Sequence, residues 1–196
     1  MITREPLETV HLCWNFVTRS DPMFTGKSVR EYVEAIASTS FPSPKGGSVL
    51  AVAGAMGAAL LQMCCQVSAK RKPQEAPRCQ EIQGRAEALM DKLLALADRD
   101  TEVVEDMIRA LREAKGKTAE QCRNLQESYE AAAQSLEEIK NSLVELTELA
   151  DAMEPVCATS CAIDLVIVRH LVRAAMEATA ESVLDNGLMP QKSGCP

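Results

Sequence analysis

The sequence predicts an all-α helical bundle, and three observations carry that expectation. Apolar residues make up 46% of the chain but aromatic residues only 3%, so a core must be built from Ala, Leu, Val and Met, a palette that suits helices better than strands. Apolar positions recur three and four apart over long stretches, whereas no run alternates with period two. Prolines and glycines cluster between those stretches rather than within most of them. A chain of 196 residues fits one domain with a short extension.

In chain order, residues 1–27 read as an N-terminal extension: a short helix around Pro6–Thr18, then the turn-rich connector "SDPMFTGKS". Ser28 is well placed as an N-cap, with Glu31 three residues on to complete a capping box. The helix "VREYVEAIAS" follows, with Val29, Val33 and Ile36 on one face, and Pro42 and Pro44 stop it. The stretch "SFPSPKGGSVLAVAGAMGAALLQMCC" then runs from a rigid Pro/Gly loop into a helix of small and apolar residues, with Ser48 or Gly47 as its expected cap. Ala51, Ala55 and Ala59 fall four apart, and Gly54 and Gly57 each cost about 1 kcal/mol relative to alanine in a helix interior. Close approach of another helix, within the chain or between subunits, would compensate.

"KRKPQEAP" ends that helix. The next is expected from Pro77 to Ala114, with Ile82, Ala86, Leu89, Leu93, Leu96, Val103, Met107 and Leu111 as its buried stripe and Gly116 as its stop. Thr118 starts a helix to Met153 whose Leu136, Ile139, Leu143, Leu146 and Ala150 have the spacing of a bundle seam. Pro155 closes it. The last helix is expected from Ser160 to Leu184 with Gly187 as C-cap, leaving 188–196 as a tail. The helical domain is thus 28–187, with five main helices.

Composition excludes several functions. A formal net charge of -7 and a pI near 5.0 make a poor nucleic-acid binder, because phosphate neutralisation dominates that affinity; "KRK" at 70–72 reads as a solvated helix end. The charged N-terminus does not read as a signal peptide, so an intracellular, cytoplasmic protein with reduced, buried cysteines is expected. Of the eight cysteines, none forms a C-x-x-C pair. Cys157 and Cys161, four apart, make only a weak zinc case, and no metal site is expected. The apolar run Val49–Cys65 falls short of the roughly 20 residues a membrane span needs and is broken by Gln62, so a buried core helix is expected.

Two features carry chemistry. Gly46, Gly47 and Ser48 would let backbone N–H groups converge at a helix N-terminus and favour an anion or a developing negative charge, or else form a stiff turn and nothing more. Asp164 stands between Ile163 and Leu165, where an ionised carboxylate must find a partner or have its pKa raised. General acid/base work, an interior salt bridge or a helix-dipole position all fit it. Ser182 and Asn186 share its helix face but lie about 27 Å from it along the axis, so they can meet it only across a dimer. Asp98 and Asp100, on a charged helix, read as a solvated face.

"VREYVEAIASTSFPSPKGGSVLAVAGAMGAALLQM" resembles the opening of the cyclodeaminase/cyclohydrolase family, whose loop usually reads Pro-Thr-Pro-Gly-Gly-Gly-Ser. "LADRDTEVVEDMIRA" is similar to its Ala-Asp-x-Asp helix, and "AIDLVIVRHLVRAAMEATAESVLDN" to its last helix, with Asp164 where the family carries a Ser-Asp pair. The resemblance implies an all-helical homodimer binding a tetrahydrofolate derivative near the subunit interface, with no further cofactor. The implied activity is methenyltetrahydrofolate cyclohydrolase or formiminotetrahydrofolate cyclodeaminase, with Asp164 as proton carrier. Lys45, Gly46, Gly47, Ser48, Gln66, Lys70, Ser182 and Asn186 would contact the substrate. Lys45 replaces the family's first glycine, Gln66 an asparagine, and Ser182 another. Those departures keep open a non-catalytic relative acting as a folate-binding or protein-interaction module.

Overall fold

The computed structural model describes residues 23–114 and 118–192; the expected helix at Pro6–Thr18 and the stop at Gly116 lie outside the described residues. Five helices follow one another: α1 (Val29–Ala37), α2 (Gly46–Arg71), α3 (Ala76–Glu113), α4 (Ala119–Met153) and α5 (Ala162–Lys192). Among the described residues there is no strand. Ser28 and Thr118 each form a reciprocal capping box, with Glu31 and Gln121 respectively.

α2 is the central helix, packed against α3, α4 and α5. Its small residues are used inside the chain. A Cβ on Gly54 would lie 2.5 Å from Leu143 Cδ2 and 3.1 Å from Leu93 Cδ1, and one on Gly57 would lie 3.0 Å from Val172 Cγ2. Both glycines therefore admit side chains from neighbouring helices, the compensation their helix cost requires. The expected seam of α4 is fully buried, as are Ile82, Ala86, Leu89, Leu93 and Leu96 of α3. The α3 stripe fades beyond them: Leu111 is exposed, while Met107 and Ala110 join Ala114, Leu125 and Tyr129 in a separate small core.

Several expectations are corrected. Val29 and Val33 face outward, and Tyr32 is the buried residue of α1. α2 begins at Gly46 with Lys45 as N-cap and no side-chain capping bond of its own, so neither Ser48 nor Gly47 caps it. α5 does not stop at Gly187 but continues to Lys192; one glycine costs only about 1 kcal/mol, too little to end a helix. Cys157 and Cys161 sit in the irregular connection around two single 3-10 turns, not on one helix face. Cys64, Cys65, Cys79, Cys157 and Cys161 are free thiols. By length and composition α2 alone among the described helices could cross a membrane, yet half of its apolar stretch is buried inside the bundle, the setting of a core helix.

Candidate functional site at the glycine turn

The turn before α2 meets α3, and an aspartate joins them. Asp100 is 3% exposed, and its Oδ2 accepts the backbone N–H of Ser48 at 2.8 Å. A Cβ on Gly47 would overlap the same carboxylate, 2.6 Å from Cγ, so only glycine lets the turn sit this close. The capping bond that α2 lacks locally is thus supplied from 52 residues further along the chain, at the end of the helix where negative charge is favoured. Ser48 is itself buried, and its Oγ shares a 2.9 Å hydrogen bond with the Tyr32 hydroxyl of α1. Burial pushes the Asp100 carboxyl up to about 6, against the opposing pull of the Ser48 N–H. Burial likewise raises the Tyr32 hydroxyl, partly offset by its bond to Ser48 and reinforced by the Asp98 and Asp100 charges.

Asp98, one half-turn earlier on α3, holds the chain before α1. It accepts the N–H groups of Phe24 and Thr25 at 2.8 and 3.1 Å and the Thr25 hydroxyl at 2.7 Å. The expectation of a solvated Asp98–Asp100 face is therefore wrong: both carboxylates accept backbone N–H groups from segments distant in sequence. Asp100 was visible in the pattern, since it continues the Leu89, Leu93, Leu96 spacing of four and three with another step of four.

The remaining candidates divide between two ends of α2. Gly46 is exposed with open space where a side chain would be. Lys45 turns back on its own loop, its Nζ donating to the Ser38 carbonyl at 2.8 Å and lying 5.2 Å from the Phe41 ring centroid. Gln66 and Lys70 are exposed on the last turns of α2, and Lys72 donates to the Cys157 carbonyl at 2.8 Å.

Asp164 belongs to that second end. It lies in the first turn of α5, half-buried, where its charge reaches Cys64, and among the described residues no hydrogen bond or ion pair holds it. α5 runs antiparallel to α2: Ala158 N–H donates to Ser68 Oγ, Cys64 lies against the Cys161 carbonyl, and Gly57 faces Val172. From Gly47 to Cys64 is about 25 Å at 1.5 Å per residue. Within one chain, the turn and Asp164 do not meet. The same antiparallel register carries the later part of α5, where Ser182 lies, toward the turn. Ser182 Oγ bonds back to the Ala178 carbonyl of its own helix at 2.9 Å, and the side chain of Asn186 lies outside those described.

A glycine turn seated on an aspartate of the neighbouring helix, at the head of a helix of small residues, defines an all-α bundle with its polar machinery at helix ends. A family model described as formiminotransferase-cyclodeaminase matches residues 28–190, and the chain belongs to that family. A formiminotetrahydrofolate cyclodeaminase from Thermotoga maritima shares the fold with a TM-score of 0.73 and 25% sequence identity, over 82% of this chain and 78% of that one. A comparison with curated proteins finds no match.

Proposed function

We infer that the protein handles a tetrahydrofolate derivative in one-carbon metabolism, as a methenyltetrahydrofolate cyclohydrolase or a formiminotetrahydrofolate cyclodeaminase. The observation that carries this reading is the family match across residues 28–190, which takes in the turn, the Asp98–Asp100 segment and Asp164 together. The resemblance to a solved cyclodeaminase over most of both chains supports it. Both reactions transfer protons at a carbon held between two nitrogens. In the first, water adds to the methenyl carbon and one C–N bond opens to leave a formyl group. In the second, the arylamine nitrogen outside the pterin ring adds to the formimino carbon held on the ring nitrogen, and ammonia leaves. A carboxylate can take the proton from the attacking group and return one to the departing nitrogen.

The working form in this reading is a homodimer. Met56 is 53% exposed on α2, and Ile163, Val166 and Ile167 are 66%, 40% and 48% exposed on α5, apolar surface that a second copy would cover. Two copies packed antiparallel along this surface bring the turn of one toward Asp164 of the other and close the gap of about 25 Å that separates them in one chain.

Incubation with 5,10-methenyltetrahydrofolate, followed by loss of its absorbance, tests the reading, with a formimino substrate and ammonia detection alongside. Turnover in the wild type and its loss in Asp164→Asn support it; folate binding without any turnover supports the alternative. That second reading, a folate-binding or protein-interaction module without catalysis, is favoured by one observation. Lys45 replaces a family glycine, and its side chain is folded onto Ser38 and Phe41 beside the turn.

A further inference from the structure

One of the two readings of the glycine turn has it favour negative charge, and its own contacts argue the reverse. The Ser48 N–H is already given to Asp100, and the Gly47 backbone lies against the same carboxylate. Any anion brought to this helix start would approach a carboxylate that is already there. No Lys or Arg among the described residues pairs with Asp100; Lys45, the cation of the loop, is engaged with Ser38 and Phe41. Beyond Ser48 the Tyr32 hydroxyl of α1 feels the Asp100 charge, and it supplies no positive charge. In the same loop Ser43 is 2% exposed, and its Oγ has no hydrogen-bond partner, so a buried polar group beside the turn is also left unsatisfied.

A buried carboxylate without a cation is costly, because the desolvation of its charge is repaid only by a partner. Such a group next to an open backbone marks where a positively charged ligand would be rewarded. The one-carbon chemistry proposed above contains such a group. The methenyl bridge and the protonated formimino group are both formamidinium-type cations, N–CH=N⁺, so each of the two candidate reactions has this cation as substrate, as product or as both.

We propose that Asp100 is the counter-ion for a formamidinium-type one-carbon cation bound at the Gly46–Gly47 turn, and the specificity-determining residue that separates cationic from neutral folates. The inference rests on the folate reading and deepens it. The position of the carboxylate, seated by Ser48 and by the missing side chain of Gly47, sets where the cation lies. Asp100 stays near half-ionised around pH 6, so its charge is fully available to the ligand at pH 7.5.

The test compares two ligands of one scaffold, the cationic 5,10-methenyl and the neutral 5-formyl tetrahydrofolates, by Kd, or by KM where turnover is seen. Wild-type protein is expected to hold the cationic ligand more tightly. Asp100→Asn, which keeps an acceptor for Ser48 N–H, should weaken the cationic ligand about tenfold, the loss of one charge-assisted contact, and leave the neutral one within twofold. Gly47→Ala, which displaces the carboxylate without discharging it, should give a smaller loss of the same kind and covers the case in which Asp100→Asn does not fold. Equal weakening of both ligands in either variant would assign Asp100 a structural role only and overturn the inference. An unchanged preference in Asp100→Asn overturns it as well. Wild-type protein that binds neither ligand ends the folate reading and the inference together, whereas wild-type binding without preference ends the inference alone.

Discussion

The two ends of α2 place a carboxylate in opposite settings. At the start, Asp100 is reached through packing: a long helix delivers it beneath a glycine turn, buried, and bonded to Ser48 N–H. At the far end, Asp164 stands half-buried in the first turn of its own helix with its charge felt by a buried thiol. Burial keeps the first from ionising easily, while no hydrogen bond or ion pair among the described residues holds the second. One rod thus carries at its two ends a carboxylate fixed by a backbone donor and one without a partner among the described residues.

The sharpest way to break that comparison is to separate the two ends genetically. In the dimer proposed above, Asp164→Asn should lose about 10²–10⁴ of wild-type turnover, the usual range for a general acid/base group. Asp100→Asn should lose about tenfold at low concentration of the cationic substrate, as its counter-ion. When the two variants are mixed and their subunits exchanged, half of the dimers become mixed, each with one intact site. Activity should then recover to about a quarter of the wild type. No recovery in the mixed sample, with exchange verified by mass, would defeat the antiparallel dimer as the arrangement that joins the two aspartates.

How far the sequence foretold this depends on which end is read. The helices follow from local signals: the capping box at Ser28, the helix start at Thr118, the proline-marked connections and the seam from Leu136 to Ala150 all stand where their patterns put them. Gly54 and Gly57 were legible as close-packing positions, although not their partners, since Leu143 and Val172 are contributed by other helices. A local reading misplaces Asp100 because composition dominates it: with Asp98, Arg99 and Glu102 within two residues, it looks solvated. Only the register of the leucine stripe puts it inside. The cap of α2 was misread for the same reason, being supplied by a residue that no local pattern associates with the turn. The early stop at Gly187 gave a glycine more authority than its small helix penalty permits.

The Asp164 end is sharpened by its thiols. Cys64 and Cys65 are pushed up to about 12, by burial first and then by neighbouring thiols. At pH 8 they should react with iodoacetamide roughly a thousandfold more slowly than in the unfolded chain, because the thiolate is the nucleophile. Cys157, half-exposed, should be labelled before either, as peptide mass spectrometry would record. Rapid labelling of Cys64 in the folded protein would show this end to be open rather than packed.

The Asp100 end is sharpened by stability. Its carboxyl sits near 6 in the folded chain against about 4 when unfolded, so the folded state holds the proton more tightly. Protonation therefore adds stability as pH falls from 6 toward 4, and ionisation costs it above 6. Asp100→Asn removes that cost. The variant should be more stable than the wild type by about 2 kcal/mol at pH 7.5, with the difference vanishing near pH 4. Denaturant melts at several pH values would measure it. Loss of stability at neutral pH would mean that the charged form contributes more through Ser48 than burial takes away. Asp164→Asn, by contrast, loses no hydrogen bond or ion pair among the described residues and should stay within about 0.5 kcal/mol of the wild type.

The smallest effect concerns the residue that guards the turn. Lys45 Nζ donates to the Ser38 carbonyl and lies against the Phe41 ring, so its charge joins the end of α1 to the start of α2. Lys45→Met keeps the length and apolar stem but removes the donor and the cation. It should cost about 1 kcal/mol, one partly buried hydrogen bond with a weak cation–π contribution. A lysine extended into solvent would cost nothing on this change, so an unchanged melt would return Lys45 to the group of side chains available to a ligand. A loss would instead confine it to the loop, and the open ground at the mouth of α2 would be left to Gly46 and to the carboxylate beneath Gly47.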